Sequence, residues 1–106
     1  MFETLIQKLQ EDKYLTLETT PQHEPSMHNI IERIKKFKLQ DRVDGFSCTD
    51  NPLAKLKYNA LFASLKLQME FKKPVIATMS MRDRNKIALQ SDLMAANDFD
   101  IRAILA

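Results

Sequence analysis

Phe2, Leu5, Ile6 and Leu9 recur at i, i+3, i+4 and i+7, which predicts a short amphipathic helix at the start of the chain. The period then changes. From Lys13 to Glu18 the residues favour a strand, with Leu15 and Leu17 on one side and a carboxylate at the end. After the turn "TTPQHEP", Met27, Ile30, Ile31, Ile34 and Phe37 restore the helical period, with Ser26 placed to cap the helix. "VDGFSCTD" predicts a second strand opened by Gly45, the only glycine. Asn51 followed by Pro52 predicts the next helix start, since proline is tolerated at the first helical position. That helix is expected to carry Ala54, Tyr58, Leu61, Phe62, Leu65 and Met69 on one face. "KPVIATMS" is a third strand, and "RDRNKIALQSDLMAAN" a third long helix with Leu89, Leu93 and Ala96 inward and Asn97 at its end. "IRAILA" starts a fourth strand.

A helix followed by three strand–helix units and a strand predicts an α/β fold with right-handed crossovers and parallel strands. The chain has 106 residues with 44% hydrophobic content, enough for one small domain, 1–106. No linker or repeat in the sequence divides it. Its last strand is apolar and needs cover, so the stretch is expected to be incomplete as a fold.

Charge narrows the function classes. The 16 basic and 14 acidic residues are interspersed and leave a net charge of +2, so no strong field points to nucleic acid. The short runs Lys35, Lys36, Lys38 and Lys72, Lys73 read as solvated helix faces. One cysteine, Cys48, allows no internal disulfide, and His23 and His28 have no partner at ligand spacing, so no metal site is expected. The N-terminus lacks the apolar core of a signal peptide and no apolar run is long enough for a membrane span, so the expected location is cytoplasmic.

In parallel α/β folds function gathers at the C-terminal ends of the strands. Here those ends carry Glu18, then Thr49 and Asp50, then Thr78, Ser80, Arg82 and Asp83, a rim able to hold a polar ligand. Plain alternatives stand beside each. Glu18 also reads as a solvated strand-end carboxylate, Asp50 or Asn51 as a helix cap, and Arg82 and Arg84 as surface partners of Asp83. Cys48 reads as a small core residue, for no histidine is placed to act as its base. A dinucleotide fingerprint or a phosphate loop is ruled out, because a single glycine cannot build either.

"LETTP" after the first strand, "FSCTDNP" after the second and "MRDRNKIALQSDLMAANDFDIRAILA" at the end resemble the N-terminal part of the flavin-dependent methylenetetrahydrofolate reductases. The last segment is the most specific, and the likeness runs along nearly the whole chain. It implies a (β/α)8 TIM barrel, of which this chain supplies about three βα units and the start of strand four, since such a barrel takes roughly 250 residues. It also implies FAD at the C-terminal face, NAD(P)H as reductant and methylenetetrahydrofolate as substrate, with 5-methyltetrahydrofolate as product. Glu18 matches the family's general acid, a role that calls for a partly desolvated carboxyl. Thr49 matches a threonine lying against the flavin, and Thr78, Ser80 and Arg82 fall in the matching third-strand segment. The likeness departs at Thr78, where many members have a histidine, and a Gly-Asp segment of the family would begin beyond Ala106. Activity is therefore expected only of a complete barrel. The alternative is a non-catalytic half-barrel acting as an interaction protein, and a homo-oligomer is expected, since the edge of strand one and "IRAILA" invite pairing. A small doubly wound domain is the remaining possibility.

Overall fold

A computed structural model describes all residues, 1–106. Helix α1 spans Phe2–Gln10, α2 His28–Lys36, α3 Ala60–Phe71 and α4 Lys86–Asp98. Strands β1 (Thr16–Thr19), β2 (Gly45–Cys48), β3 (Val75–Thr78) and β4 (Ala103–Leu105) form one sheet in the order β1-β2-β3-β4, parallel throughout. The α/β reading and the alternation of elements hold.

The register fixes which side chains share a face. Leu17 pairs with Phe46, Thr19 with Cys48, Phe46 with Val75, Cys48 with Ala77 and Ala77 with Ile104. Successive strand residues point to opposite faces. This set therefore lies on one side, with Phe46, Cys48, Val75 and Ala77 fully buried there. Ile30, Ile31 and Ile34 of α2 and Ala63 and Leu67 of α3 pack onto Phe46, Cys48 and Val75, and Ala96 of α4 packs with Ala77 and Ile101. All three crossover helices thus cover the same face. A doubly wound sheet reverses its strand order at a switch point and carries helices on both faces. Neither feature is present, which removes that possibility.

The opposite face is open. It carries Thr16, Glu18, Ser47, Ile76, Thr78, Ala103 and Leu105, none of them buried. Near the strand starts Tyr14 lies against Gly45, whose place a larger residue could not take: a Cβ there would stand 2.2 Å from the Tyr14 hydroxyl and 2.5 Å from the Pro74 carbonyl oxygen. Helix α1 reaches across the same end. Its Lys8 pairs with Asp44, just before β2, and the Met1 ammonium and Phe2 amide donate to Asp100, just before β4.

Three local expectations are corrected. Asn51 and Pro52 open a single 3-10 turn, Pro52–Ala54, and α3 starts only at Ala60. Asn59 is its true cap, its side chain accepting from the Phe62 amide at 2.9 Å. The buried face of α3 is therefore Ala60, Ala63, Ser64, Leu67 and Gln68, small residues that let the helix lie close on the sheet, while Phe62 and Met69 are exposed. On α4, capped by Asn85, only Ala96 is buried, while Leu89 is half-buried and Leu93 is 39% exposed. The first strand starts at Thr16 and runs through Glu18 to Thr19, leaving Leu15 exposed.

Candidate functional site at the C-terminal rim

Each strand end leads into a loop, and the three loops are tied together. The Tyr58 amide donates to the Gln22 carbonyl at 2.8 Å, joining the loop after β2 to the loop after β1. The loop after β3 is joined to the loop after β2 more heavily. The Ser80 amide donates to Asp50 Oδ2 at 2.7 Å, Arg82 Nη2 to the Asn51 carbonyl at 3.0 Å, and the Arg84 guanidinium grips the Asp50 carboxylate.

Asp50 and Arg84 are the best-shielded charges of the rim, with side chains only 2% and 10% exposed. Arg84 Nη1 also donates to the Ser80 carbonyl at 3.0 Å, and Nε to Asp92 of α4 at 3.1 Å. Its hydrogen bond to Asp50 holds the guanidinium above its ordinary pKa, against the partial desolvation of the site. Both residues had plainer readings in the sequence, Asp50 as a helix cap and Arg84 as a surface partner of Asp83. Their common signal is position: each follows the end of one of two successive parallel strands, so the crossover sets them side by side.

Register also places the expected site residues. Glu18 sits on the open face level with Ser47 and Ile76. Continued one residue past the Cys48–Ala77 pair, the same register sets Thr49 beside Thr78, one row nearer the rim, and the Thr49 amide keeps the ladder going by donating to the Thr19 carbonyl. Glu18, Thr49 and Thr78 thus share one face and one end. Ser80 and Arg82 lie beyond the strand end in the third loop.

Their environments differ. Glu18 is exposed and makes no hydrogen bond or ion pair, so the desolvation that an acid role requires is absent from this face as it stands. Thr49 has a buried hydroxyl oxygen with no partner, and so does Thr19. Buried hydroxyls ordinarily find a partner. The Ser80 hydroxyl accepts from the Arg82 amide at 3.2 Å. Arg82 is exposed and forked onto its neighbour Asp83, which raises the arginine's pKa and lowers the aspartate's through their shared hydrogen bonds. A surface pair of this kind contributes little to stability, and such an arginine can exchange its partner for another anion.

The loop after β2 is strained. Asn51, Leu53 and Ala54 have φ of 42°, 59° and 59°, a left-handed conformation that is rare for any side chain and most of all for leucine. Leu53 is also 86% exposed. No protein-family model, curated protein or solved structure matches this chain.

Proposed function

We propose that this chain is the N-terminal part, about three βα units and the start of strand four, of a (β/α)8 barrel of the methylenetetrahydrofolate reductase type, and that its open sheet face is the inner wall of that barrel. The observation that carries the reading is the β1-β2-β3-β4 order with every crossover helix on one face. Continued with the same hand, that pattern curls a parallel sheet toward closure, and a half-barrel has one bare face. The bare face carries its polar groups, Glu18, Thr49 and Thr78, at the end where barrel enzymes place their chemistry.

Under this reading FAD lies across the rim, and the complete enzyme uses NAD(P)H to reduce methylenetetrahydrofolate to 5-methyltetrahydrofolate in the cytoplasm. The flavin supplies the hydride chemistry; the protein supplies position and electrostatics. The residues present fit that group in part. The Thr49 hydroxyl has no protein partner and would bond a polar ring edge on turning out of its buried position, Thr78 and Ser80 add hydroxyls nearby, and Arg82 is the exposed cation suited to a phosphate. Glu18 fits its acid role only once further strands cover the open face, because closure is what would bury it.

A second reading is favoured by the free edge of β1. A groove there is lined by Leu17, Glu18, Ile30, Arg33, Ile34 and Leu39, and on the far side of the sheet Leu105 of β4 is exposed. Unpaired parallel edges invite another strand. In this reading the half-barrel is a non-catalytic, self-associating interaction protein.

Incubating the chain with FAD, separating it by size exclusion and recording the visible spectrum tests both. Flavin absorbance eluting with folded protein supports the reductase reading. A folded, colourless species of twice the chain mass or more supports the second, and a colourless monomer removes flavin binding from this chain.

A further inference from the structure

We propose that Asp50 and Arg84 are a positioning pair, which fixes the ends of β2 and β3 so that the Thr49 hydroxyl and the groups around Ser80 are held ready for a ligand. The inference rests on the reading of the rim as a flavin site. It concerns residues that do not themselves touch the ligand.

Three observations carry it. First, every nitrogen of the Arg84 side chain is committed: Nη1 to Asp50 and the Ser80 carbonyl, Nη2 to Asp50, Nε to Asp92. Four of its five N–H donors are thereby used and its side chain is only 10% exposed, so Arg84 is poorly placed to take a ligand anion, in contrast to exposed Arg82. Second, Asp50 directly follows Thr49, and its carboxylate receives the amide of Ser80, two residues past Thr78. The pair therefore extends the link between β2 and β3 beyond their last ladder bond. Third, a buried ion pair is a poor way to stabilise a fold, since well-packed apolar residues of similar volume do as well or better. What the pair adds over apolar packing is a directed acceptor for the Ser80 amide, and the hydroxyl next to it in sequence, on Thr49, is buried without a partner. Holding a free polar group on a fixed backbone is what a preorganised site requires.

That third point supplies the test. In the double variant Asp50→Leu/Arg84→Met the two buried charges leave together, and Asp92, the remaining partner of Arg84, is 37% exposed and can turn to solvent, so the chain is expected to melt close to the parent. Two readouts follow, amide exchange at Ser80 and the dissociation constant for FAD from flavin fluorescence. The expected result is exchange at Ser80 faster by about tenfold or more with Phe46 unchanged, and FAD binding weaker by about tenfold or more. Unchanged exchange at Ser80 overturns the proposal whatever the flavin does. Faster exchange with undiminished FAD affinity also overturns it, leaving the pair a purely structural contact. If the parent chain takes up no FAD, the flavin reading fails and the ligand-positioning role fails with it. The exchange arm then still shows separately whether the pair orders the loops. Should the double variant unfold, Arg84→Lys, which keeps the charge and loses the fork, carries the same two readouts in the same directions.

Discussion

The Tyr14 hydroxyl occupies the space that a side chain on Gly45 would need. A Cβ at Gly45 would come within 2.2 Å of that hydroxyl and 3.2 Å of the ring carbon bearing it. The chain's one glycine is thus explained by close approach, because its φ lies outside the left-handed region. Tyr14 in turn closes the lower part of the open face, its hydroxyl buried without a partner and its pKa pushed up to about 12, first by burial and then by the nearby Asp44 carboxylate.

Gly45→Ala is therefore expected to destabilise the chain by about 1 to 3 kcal/mol, the usual cost of overpacking. Urea unfolding measures it. Adding Tyr14→Phe should recover part of the loss and not all of it, because the Pro74 carbonyl, 2.5 Å from the added carbon, is backbone and cannot move aside cheaply. A Gly45→Ala variant as stable as the parent would contradict the packing described.

Asn59, and not the Asn51–Pro52 pair, starts α3. Asn59→Ala should cost about 1 kcal/mol through the lost bond to the Phe62 amide. Pro52→Ala should cost well under half of that, since Pro52 opens only one 3-10 turn. Equal costs in denaturant titrations would return the helix start to Asn51.

These two residues show what was legible. Periodicity gave the order of strands and long helices, because 3.6-residue and two-residue patterns report which face is buried, and of the stripe read for α2, Met27, Ile30, Ile31 and Ile34 are buried while Phe37 is exposed. It failed on α3 for a physical reason: the face against the sheet is built of alanine, serine and glutamine around Leu67, while the larger Phe62 and Met69 point outward. Size and burial part company where a helix must lie close. The rim was legible as a set of strand ends, so Glu18, Thr49 and Thr78 could be set on one face and one end by position alone. The Asp50–Arg84 pair was not, because a local use for each residue, capping for one and the adjacent Asp83 for the other, competes in sequence with a partner 34 positions away.

Cys48 gives a pH dependence. Burial pushes its thiol up from an ordinary 9.0 to about 11, with the Ser64 hydrogen bond pulling weakly the other way. A folded pKa raised above the unfolded one means that the unfolded state ionises first. The contribution to stability is fully present below pH 9 and is lost as pH climbs through 11, amounting to about 2 to 3 kcal/mol. Melting curves of the parent and of Cys48→Ala between pH 8 and 11 isolate this share from other alkaline titrations. The difference between the two should shrink as pH rises, and parallel curves would show that the thiol is not shielded. Thiol reagents at neutral pH should likewise react slowly until the chain unfolds.

Leu53 offers the sharpest separation of stability from function. At φ 59° and 86% exposed, it is held in a left-handed conformation without burial to compensate. Glycine adopts that conformation freely, although it also loosens the unfolded chain. Leu53→Gly is therefore expected to leave stability unchanged or to raise it by up to about 1 kcal/mol, where glycine elsewhere in a loop ordinarily costs stability. Backbone strain of this kind persists where the surroundings demand it and gathers at ligand sites. If the loop after β2 is held in this form to meet the flavin, the same variant binds FAD more weakly despite being at least as stable. Paired urea and flavin-fluorescence titrations decide the point. Unchanged affinity would leave the strain without a part in binding, and a clear loss of stability would mean that the Leu53 side chain has a packing partner on the rim.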